Sequence, residues 1–206
     1  MKKFKNIYSI KPGTYIKIAI TGHKHGIGKA FAEQLAKRGH KIVGISRSDG
    51  ENIRRTDHTA SIIEPCELFI NNANSYYAQT ELLYAVWKRW QGQKKYIWNI
   101  STMMTEQPVN SIPDGLNAIT GEAFDDLDMS QYRVQKLALE ESSKQLTHKN
   151  SRPLISIIRP GGVNTQGHGG ENVDTWVKSV IDTFTQHDNI HISEISIGHI
   201  TKRIPI

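Results

Sequence analysis

A tyrosine and a lysine four residues apart form the most chemically suggestive pair in the sequence. Tyr132 and Lys136 stand in a stretch whose pattern predicts a helix over 130–147, and residues four apart share one face of a helix. A free phenol has a pKa of about 10, and a nearby cation favours the phenolate and lowers that pKa. Such a phenol can pass a proton to or from a substrate oxygen. Taken alone, the pair also fits an ordinary exposed pair on a helix.

A second candidate site is the glycine-rich segment Thr-Gly-His-Lys-His-Gly-Ile-Gly at 21–28. Apolar residues predict a strand at 15–20 before it, and helical spacing predicts a helix over 27–38 after it. Glycine is needed where the backbone bends sharply and comes close to another group. The N–H groups at the start of the helix would then face a phosphate. A glycine triplet by itself fits any tight turn, but the flanking strand and helix favour the phosphate site.

The elements that must position these residues alternate between strand and helix. Further strands are predicted at 41–45, near 53–56, and at 67–70, 96–100, 154–158 and 190–197, and further helices over 79–91, 130–147 and 173–186. The alternation predicts an α/β fold with a single doubly wound parallel sheet and helices on both faces. Residues 1–14 form a polar lead-in, and no linker divides the chain, so one domain over 1–206 is expected.

Polar residues and glycines follow the predicted strand ends. The glycine segment follows the first strand, and later strands are followed by Ser46-Arg47, Asn71–Asn74, Ser101-Thr102 and Pro160-Gly161. Ligands of open parallel sheets bind outside the carboxyl ends of the strands. These segments are therefore predicted to share one binding edge.

Bulk composition narrows the class of protein. The chain has 206 residues, a net charge of +6 and one cysteine, Cys66, so it forms no internal disulfide. The basic start is not followed by an apolar signal core, and no long apolar run predicts a membrane span, so a cytoplasmic protein is expected. Lysines and arginines are scattered, so no nucleic-acid partner is expected. Neither a membrane partner nor a metal site is predicted.

Five short motifs occur in the order in which short-chain dehydrogenases/reductases carry them. They are Thr-Gly-x-x-x-Gly-Ile-Gly at 21–28, Asn-Asn-Ala at 71–73, Asn-Ile-Ser-Thr at 99–102, Tyr-x-x-x-Lys at 132–136 and Pro-Gly-x-x-x-Thr at 160–165. The chain resembles this family from about residue 15 to 198 and is identified as a compact member. The resemblance implies a Rossmann-type fold, a dinucleotide cofactor, a small carbonyl or alcohol substrate, and assembly as a homodimer or homotetramer.

The resemblance also implies catalytic roles. Tyr132 would be the general acid/base, and Lys136 would bind the nicotinamide ribose and lower the pKa of Tyr132. Thr102 would hold the substrate oxygen at a position where the family usually has serine. Ser101 is the alternative, and strand alternation lets only one of these two hydroxyls reach the site.

The cofactor-binding residues are implied in the same way. The pyrophosphate would lie on the glycine segment, the adenosine side against 72–74 and the nicotinamide amide against 160–165. The residues are Gly22, Gly26, Ile27, Gly28, Asn72, Ala73, Asn74, Pro160, Gly161, Val163 and Thr165. Asn74 replaces a usual glycine, and Asp57 is assigned to the adenine within a shortened segment.

Other departures from the family pattern concern the substrate side. The asparagine of the family's proton relay has no clear counterpart, and Gln79 is the polar candidate. Residues 103–129 are longer than usual and are expected to cover the active site as loop and short helix. The glycine-rich stretch 166–172 is a candidate lid, and His168 within it is a candidate substrate contact.

The end of the second strand bears on the choice of cofactor. An acid there would hold the ribose hydroxyls of NAD, but the chain has Ser46 and Arg47 before the first acid, Asp49. A cation and hydroxyls suit a ribose phosphate, and His23, Lys24 and His25 add positive charge. NADP(H) is therefore predicted, with NAD(H) as the alternative.

The leading hypothesis is an NADP(H)-dependent oxidoreductase that reduces a carbonyl or oxidises an alcohol. A non-catalytic dinucleotide sensor is a second hypothesis, and an epimerase or dehydratase with a retained cofactor is a third. No residue within 103–129 specifies the substrate.

Overall fold

A six-stranded parallel sheet lies at the centre of the molecule, in the order β2-β1-β3-β4-β5-β8. The structure is a computed structural model and describes residues 15–106, 129–165, 170–186 and 190–198. The strands are β1 (Lys17–Thr21), β2 (Lys41–Ile45), β3 (Leu68–Asn71), β4 (Tyr96–Ile100), β5 (Leu154–Pro160), β6 (Val163–Asn164), β7 (Glu171–Asn172) and β8 (Glu194–Ile197). The helices are α1 (Gly26–Lys37), α2 (Thr56–Ile63), α3 (Ala78–Trp90), α4 (Met129–Lys149) and α5 (Val173–Thr185). Strands β6 and β7 form a separate small parallel pair.

Strand alternation divides the core into two layers. Ile18, Ile20 and Trp98 point to the layer that also holds Phe31 of α1 and Trp176 of α5. The residues between them along the strands point to the opposite layer, which holds α2, α3 and α4. Its buried members include Ala19, Phe69, Ile97, Leu82, Trp90, Leu139 and Leu146. With helices on both faces, strands β3 and β4 are buried along their whole length, as expected for a covered parallel sheet. The predicted α/β fold is confirmed.

The predicted strand near 53–56 is wrong. Ile53 is buried, but the chain turns there and enters helix α2 at Thr56. The buried residues Thr59, Ala60 and Ile63 lie at helical spacing, and they cover the sheet face instead of extending the sheet. Strand β2 is therefore the edge of the sheet.

The other predicted elements form close to the predicted bounds. The last strand is shorter than expected, since it begins at Glu194, and β5 continues to Pro160. Part of the expected active-site cover, residues 107–128, lies outside the described residues, as do the lead-in 1–14 and residues 166–169 of the candidate lid, which include His168. Among the described residues, no helix combines the length and the apolar character needed to cross a membrane.

Candidate active site

The candidate site lies where the chain changes direction across the sheet. β1 pairs with β2 on one side and with β3 on the other, both in parallel. The connections after β1 and β3 therefore diverge at their carboxyl ends and leave a crevice, which is where ligands of open α/β sheets bind. The glycine segment at 21–28 follows β1 and opens helix α1 at this point.

Three glycines shape the turn between β1 and α1. Gly22 and Gly26 have positive φ angles of 71° and 50°, which glycine adopts without strain. A Cβ at Gly28 would lie 2.3 Å from the carbonyl oxygen of Gly22. The turn is thus too tight for a side chain at this position, as the sequence predicted.

The Asn-Asn-Ala motif braces the same turn. The hydroxyl oxygen of Thr21 accepts hydrogen bonds from the backbone N–H groups of Asn72 (2.9 Å) and Ala73 (3.0 Å). The Asn72 side-chain amide donates to the carbonyl of Thr21 at 3.0 Å. The ends of β1 and β3 are therefore fixed to each other directly beneath the glycine turn.

An open cavity of about 620 Å³ lies above the turn, within the range of roughly 300–1,000 Å³ typical of ligand sites. Its lining comes from the glycine segment, the first turns of α1, Asn72, Thr165 and the start of α5. The lining residues are Lys24, His25, Gly26, Ile27, Lys29, Ala30, Glu33, Asn72, Thr165, Val173 and Asp174. The His25 side chain does not cap the N-terminus of α1, and within the described ranges the N–H groups of the first turn of this helix have no side-chain acceptor. Free N–H groups and the helix dipole suit a phosphate, so the residues present fit a dinucleotide pyrophosphate.

Thr165 brings the last motif to the glycine turn. Its Cγ2 atom would lie 3.3 Å from a Cβ placed on Gly26. Gly161 donates its N–H to the carbonyl of Ile197 at 2.9 Å, and a Cβ there would lie 2.7 Å from Gly198. The close approach of β5 and β8 thus requires glycine after Pro160 and directs the chain through Val163 toward α1.

The positive charge expected around the glycine segment is partly neutralised. Lys24 pairs with Asp49, and His23 Nε2 lies 3.6 Å from the same carboxylate. The His23 ring packs over β2, where a Cβ on Gly44 would meet it at 2.4 Å. Arg47 is exposed in the turn that follows Ser46. Of the basic residues invoked for a ribose phosphate, His23 and Lys24 therefore face an acid.

Neither Asp57 nor Asn74, which are both predicted to lie on the adenosine side, is among the residues that line this cavity. Asp57 stands exposed in the first turn of α2 and is not part of the cavity lining. Asn74 reaches across to α4, where its amide lies 3.5 Å from Oε1 of Gln135.

Tyr132 and Lys136 lie together at the carboxyl end of β4. The Lys136 ammonium is 5.4 Å from the centroid of the Tyr132 ring. It donates to Oε1 of Gln79 at 2.8 Å and to the carbonyl of Ile100 at 2.9 Å. Gln79, the polar candidate on α3, therefore contacts the lysine directly.

Burial controls both ionisable groups in the protein without cofactor. It raises the pKa of Tyr132 to about 12. It lowers the pKa of Lys136 to about 7, against an opposing effect of the Glu140 carboxylate. The direction of the Tyr132 pKa shift is therefore set by removal of the phenol from water, and a lowering of this pKa by Lys136 stays a prediction.

The two hydroxyls after β4 have different surroundings. Ser101 is 2% exposed and donates to the Glu140 carboxylate, which occupies its proton. Thr102 is half-buried, and its hydroxyl oxygen lies 3.3 Å from the N–H of Met104 as an acceptor. A hydroxyl that accepts a hydrogen bond keeps its own proton to donate, so the geometry favours Thr102 as the substrate-facing group.

A buried ion pair beneath these hydroxyls was not predicted. Arg159 of β5 donates to Glu140 of α4 through Nε (3.0 Å) and Nη2 (2.7 Å), and Nη2 also lies 2.6 Å from Glu194. The sequence gives one sign of this pair. Glu140 follows Tyr132 and Lys136 at four-residue spacing, which puts all three on one face of the helix.

Comparisons with known proteins agree with this arrangement at the level of fold. No protein-family model matches the chain. A stretch of 29 residues is 72% identical to a very-long-chain 3-oxoacyl-CoA reductase of Mus musculus, covering 14% of this chain and 9% of that protein. A 43-residue stretch is 51% identical to the Macaca fascicularis protein of the same name, covering 21% and 14%. The matched stretches thus span a small part of these curated relatives.

Solved structures match over most of the chain at low identity. A short-chain dehydrogenase from Burkholderia cenocepacia in complex with NADP has a TM-score of 0.67 at 14% identity, covering 89% of this chain and 88% of that one. An alcohol dehydrogenase from Thermococcus sibiricus complexed with 5-hydroxy-NADP gives 0.67 at 14%, covering 94% and 100%. The 3-alpha-hydroxysteroid dehydrogenase from Pseudomonas sp. B-0831 complexed with NADH gives 0.63 at 18%, covering 88% and 96%. The chain therefore has the fold of the short-chain dehydrogenases/reductases.

Proposed function

We propose that the chain is an NAD(P)-dependent oxidoreductase of the short-chain type that interconverts a carbonyl and an alcohol. The observation that carries the proposal is the Tyr132–Lys136 pair, with its ammonium 5.4 Å from the phenol ring. The pair stands at the end of β4, on the same sheet edge as the glycine turn. This arrangement supports a role for Tyr132 as the proton donor beside the proposed nicotinamide position.

The dinucleotide would be held mainly by backbone groups. Its pyrophosphate would lie on the turn of Gly22, Gly26 and Gly28 and face the N–H groups that open α1, with Ile27, Lys24 and His25 beside it. Its nicotinamide end would lie toward Thr165 and Lys136. When bound, the nicotinamide supplies or accepts a hydride at the substrate carbon.

NADP(H) is the proposed form of the cofactor. Similar structures are described with NADP and with NADH, so the preference rests on the residues of this chain. Arg47 stands exposed just beyond β2, where Ser46 and Ser48 offer hydroxyls 3.0 Å from each other. This set suits a ribose phosphate, while Asp49 is engaged by Lys24 and His23.

The proton chemistry belongs to Tyr132. With a pKa of about 12, its phenol keeps the proton at neutral pH and can donate it to a substrate oxygen during reduction. A charged Lys136 would stabilise the phenolate left behind. The Thr102 hydroxyl would donate a hydrogen bond to the same substrate oxygen and hold it toward Tyr132.

The experiment combines binding with turnover. We expect purified protein to bind NADPH, measured by its fluorescence, and to oxidise it with at least one member of a panel of ketones, aldehydes and a 3-oxoacyl thioester. NADPH binding without turnover of any compound would contradict the enzyme and support a dinucleotide sensor. Nucleotide that is released only on denaturation would instead favour an epimerase or dehydratase with a retained cofactor.

A further inference from the structure

The short turn that carries Thr102 is held from within by one hydroxyl. Thr105 Oγ1 lies 2.7 Å from the carbonyl oxygen of Thr102. The Thr105 N–H also points to that carbonyl, at 3.3 Å. The turn from Thr102 to Glu106 is thus closed on itself, and the position of Thr102 depends on Thr105.

Helix α4 grips this turn at two points. Arg133 donates from Nε to the carbonyl of Met104 at 3.0 Å and from Nη2 to the carbonyl of Thr105 at 3.4 Å. The Thr105 hydroxyl also lies 2.8 Å from Oε1 of Glu140, and its single proton is donated either to this carboxylate or to the Thr102 carbonyl. Both backbone carbonyls and the central hydroxyl of the turn are therefore bound by side chains of one helix.

The same helix carries the proposed catalytic pair. Arg133 and Glu140 are seven residues, about two turns, apart. Tyr132 is next to Arg133 on α4, and Lys136 lies between Arg133 and Glu140. Any displacement of the turn relative to α4 therefore changes the distance from Thr102 to Tyr132.

The anchor of this arrangement is buried. Glu140 is 5% exposed and Arg159 is 6% exposed, and they are joined by two hydrogen bonds. Ser101 donates to the same carboxylate. A buried carboxylate with every oxygen paired is costly to move, because a shift leaves charge without a partner.

We propose that Arg133, Glu140 and Thr105 are positioning residues that fix the Thr102 hydroxyl relative to Tyr132. Their catalytic consequence rests on the proposed function, since it assumes that Thr102 and Tyr132 share a substrate oxygen. None of the three is assigned a contact with substrate. Arg133 acts through the backbone carbonyls of the turn, Thr105 through the Thr102 carbonyl, and Glu140 through the Thr105 hydroxyl.

The test uses Thr105→Val and Arg133→Met, which each remove one grip and keep most of the side-chain volume, and the double variant. Thr105→Ser restores the hydroxyl. Glu194→Gln is the matched control, because Glu194 binds the same Arg159 nitrogen as Glu140, at 2.6 Å, and its other ion-pair partner among the described residues is Lys144. Two readouts are taken: kcat and KM with the carbonyl compound best reduced by the wild-type protein, and amide hydrogen exchange of the peptide over 101–106.

The expected result is a loss of kcat in the double variant of roughly ten- to a hundred-fold, the effect of a misplacement of about 1 Å in a catalytic group. The affinity for NADPH stays unchanged, exchange over 101–106 becomes faster, and Thr105→Ser behaves as the wild type. Glu194→Gln keeps kcat and the exchange rate.

Three outcomes show whether the positioning role, the proposed function or neither is contradicted. If the wild-type protein is active and the double variant keeps both its kcat and its slow exchange, the positioning role is overturned and the function stands. The role is also overturned if Glu194→Gln lowers kcat as much as the double variant does. If the wild-type protein reduces no compound while amide exchange over 101–106 is faster in the double variant, the proposed function is contradicted. The conclusion that these side chains hold the 102–106 turn is then retained.

Discussion

At the residue scale, burial decides the state of the two groups proposed to handle the proton. Lys136 is 3% exposed and gives its hydrogen bonds to Gln79 and to the carbonyl of Ile100. Without cofactor, the amine therefore loses its proton near neutral pH, and the phenol of Tyr132 keeps its own.

A pH profile of stability tests the state of Lys136. Its pKa is about 7 in the folded protein and 10.5 in a model peptide, so between these values the unfolded chain binds more protons at this residue. The free energy of unfolding should therefore rise with pH across that window. The measurement is denaturant unfolding without cofactor, as the difference between the wild-type protein and Lys136→Met.

Lys144→Met is the control for this profile, because it removes an exposed lysine from the same helix. A wild-type minus Lys136→Met difference that stays flat between pH 7 and 10.5 would show that the folded-state pKa of Lys136 is not lowered to the value of about 7.

Cofactor preference is a second property of single residues. Arg47→Asp removes the exposed cation and should lower the ratio of kcat/KM for NADPH to that for NADH by roughly ten-fold or more, since a charge-assisted hydrogen bond contributes about 1.5–3 kcal/mol. Asp49→Asn should raise the same ratio, because it frees Lys24 and His23 from their acid. Steady-state kinetics with both cofactors gives the two ratios. Equal ratios in all three proteins would remove the case for NADP(H).

At the element scale, the sequence pattern predicts those strands and helices whose formation depends on their own residues. The continuous apolar runs of β3 and β4 and the spacing of α1 are readable because each residue's burial follows from its own element. The strand predicted near 53–56 is wrong because a single buried isoleucine among polar residues shows neither the two-residue period of a strand nor the 3.6-residue period of a helix. Thr21 and Asn72 each belong to one of the five motifs, so the meeting of these two residues at the ends of β1 and β3 could be predicted.

Pairs that meet through tertiary packing could not be predicted in this way. Glu140 and Arg159 are 19 residues apart and meet because α4 packs on β5. The grip of Arg133 on the carbonyls of Met104 and Thr105 likewise depends on where the turn after β4 lies. Charged residues in a sequence show no preferred partner until the elements that carry them are placed.

A side chain in the glycine turn should impair both stability and NADPH binding. Gly28→Ala places a Cβ 2.3 Å from the Gly22 carbonyl, so the backbone must shift, with a loss of stability of about 1–3 kcal/mol and loss of NADPH binding. Gly39→Ala is the control at the other end of α1. Gly39 has a φ of 88° with no atom within 4 Å of a Cβ, so the change should cost stability through strain and leave NADPH binding intact.

Thermal unfolding and NADPH titration of both variants distinguish these effects. Wild-type affinity for NADPH in Gly28→Ala would show that the tight turn is not part of the dinucleotide site.

At the scale of the whole molecule, the parallel sheet gathers distant motifs at one edge. β1, β3, β4 and β5 are neighbours in the sheet, so the segments that follow them converge although they span residues 21 to 165 of the chain. The sequence predicted this edge because its polar residues follow strand ends. One domain over 1–206, a homodimer or homotetramer and a cytoplasmic location stay predictions.

The central claim is that Tyr132 donates the proton in a reaction of a bound dinucleotide, and Tyr132→Phe tests it most directly. The change removes only the hydroxyl and keeps the ring beside Lys136. We expect kcat for NADPH-dependent carbonyl reduction to fall by roughly 10²- to 10⁴-fold, the range of general acid–base catalysis, while NADPH binds as to the wild-type protein. If Tyr132→Phe keeps the wild-type kcat, Tyr132 is not the proton donor.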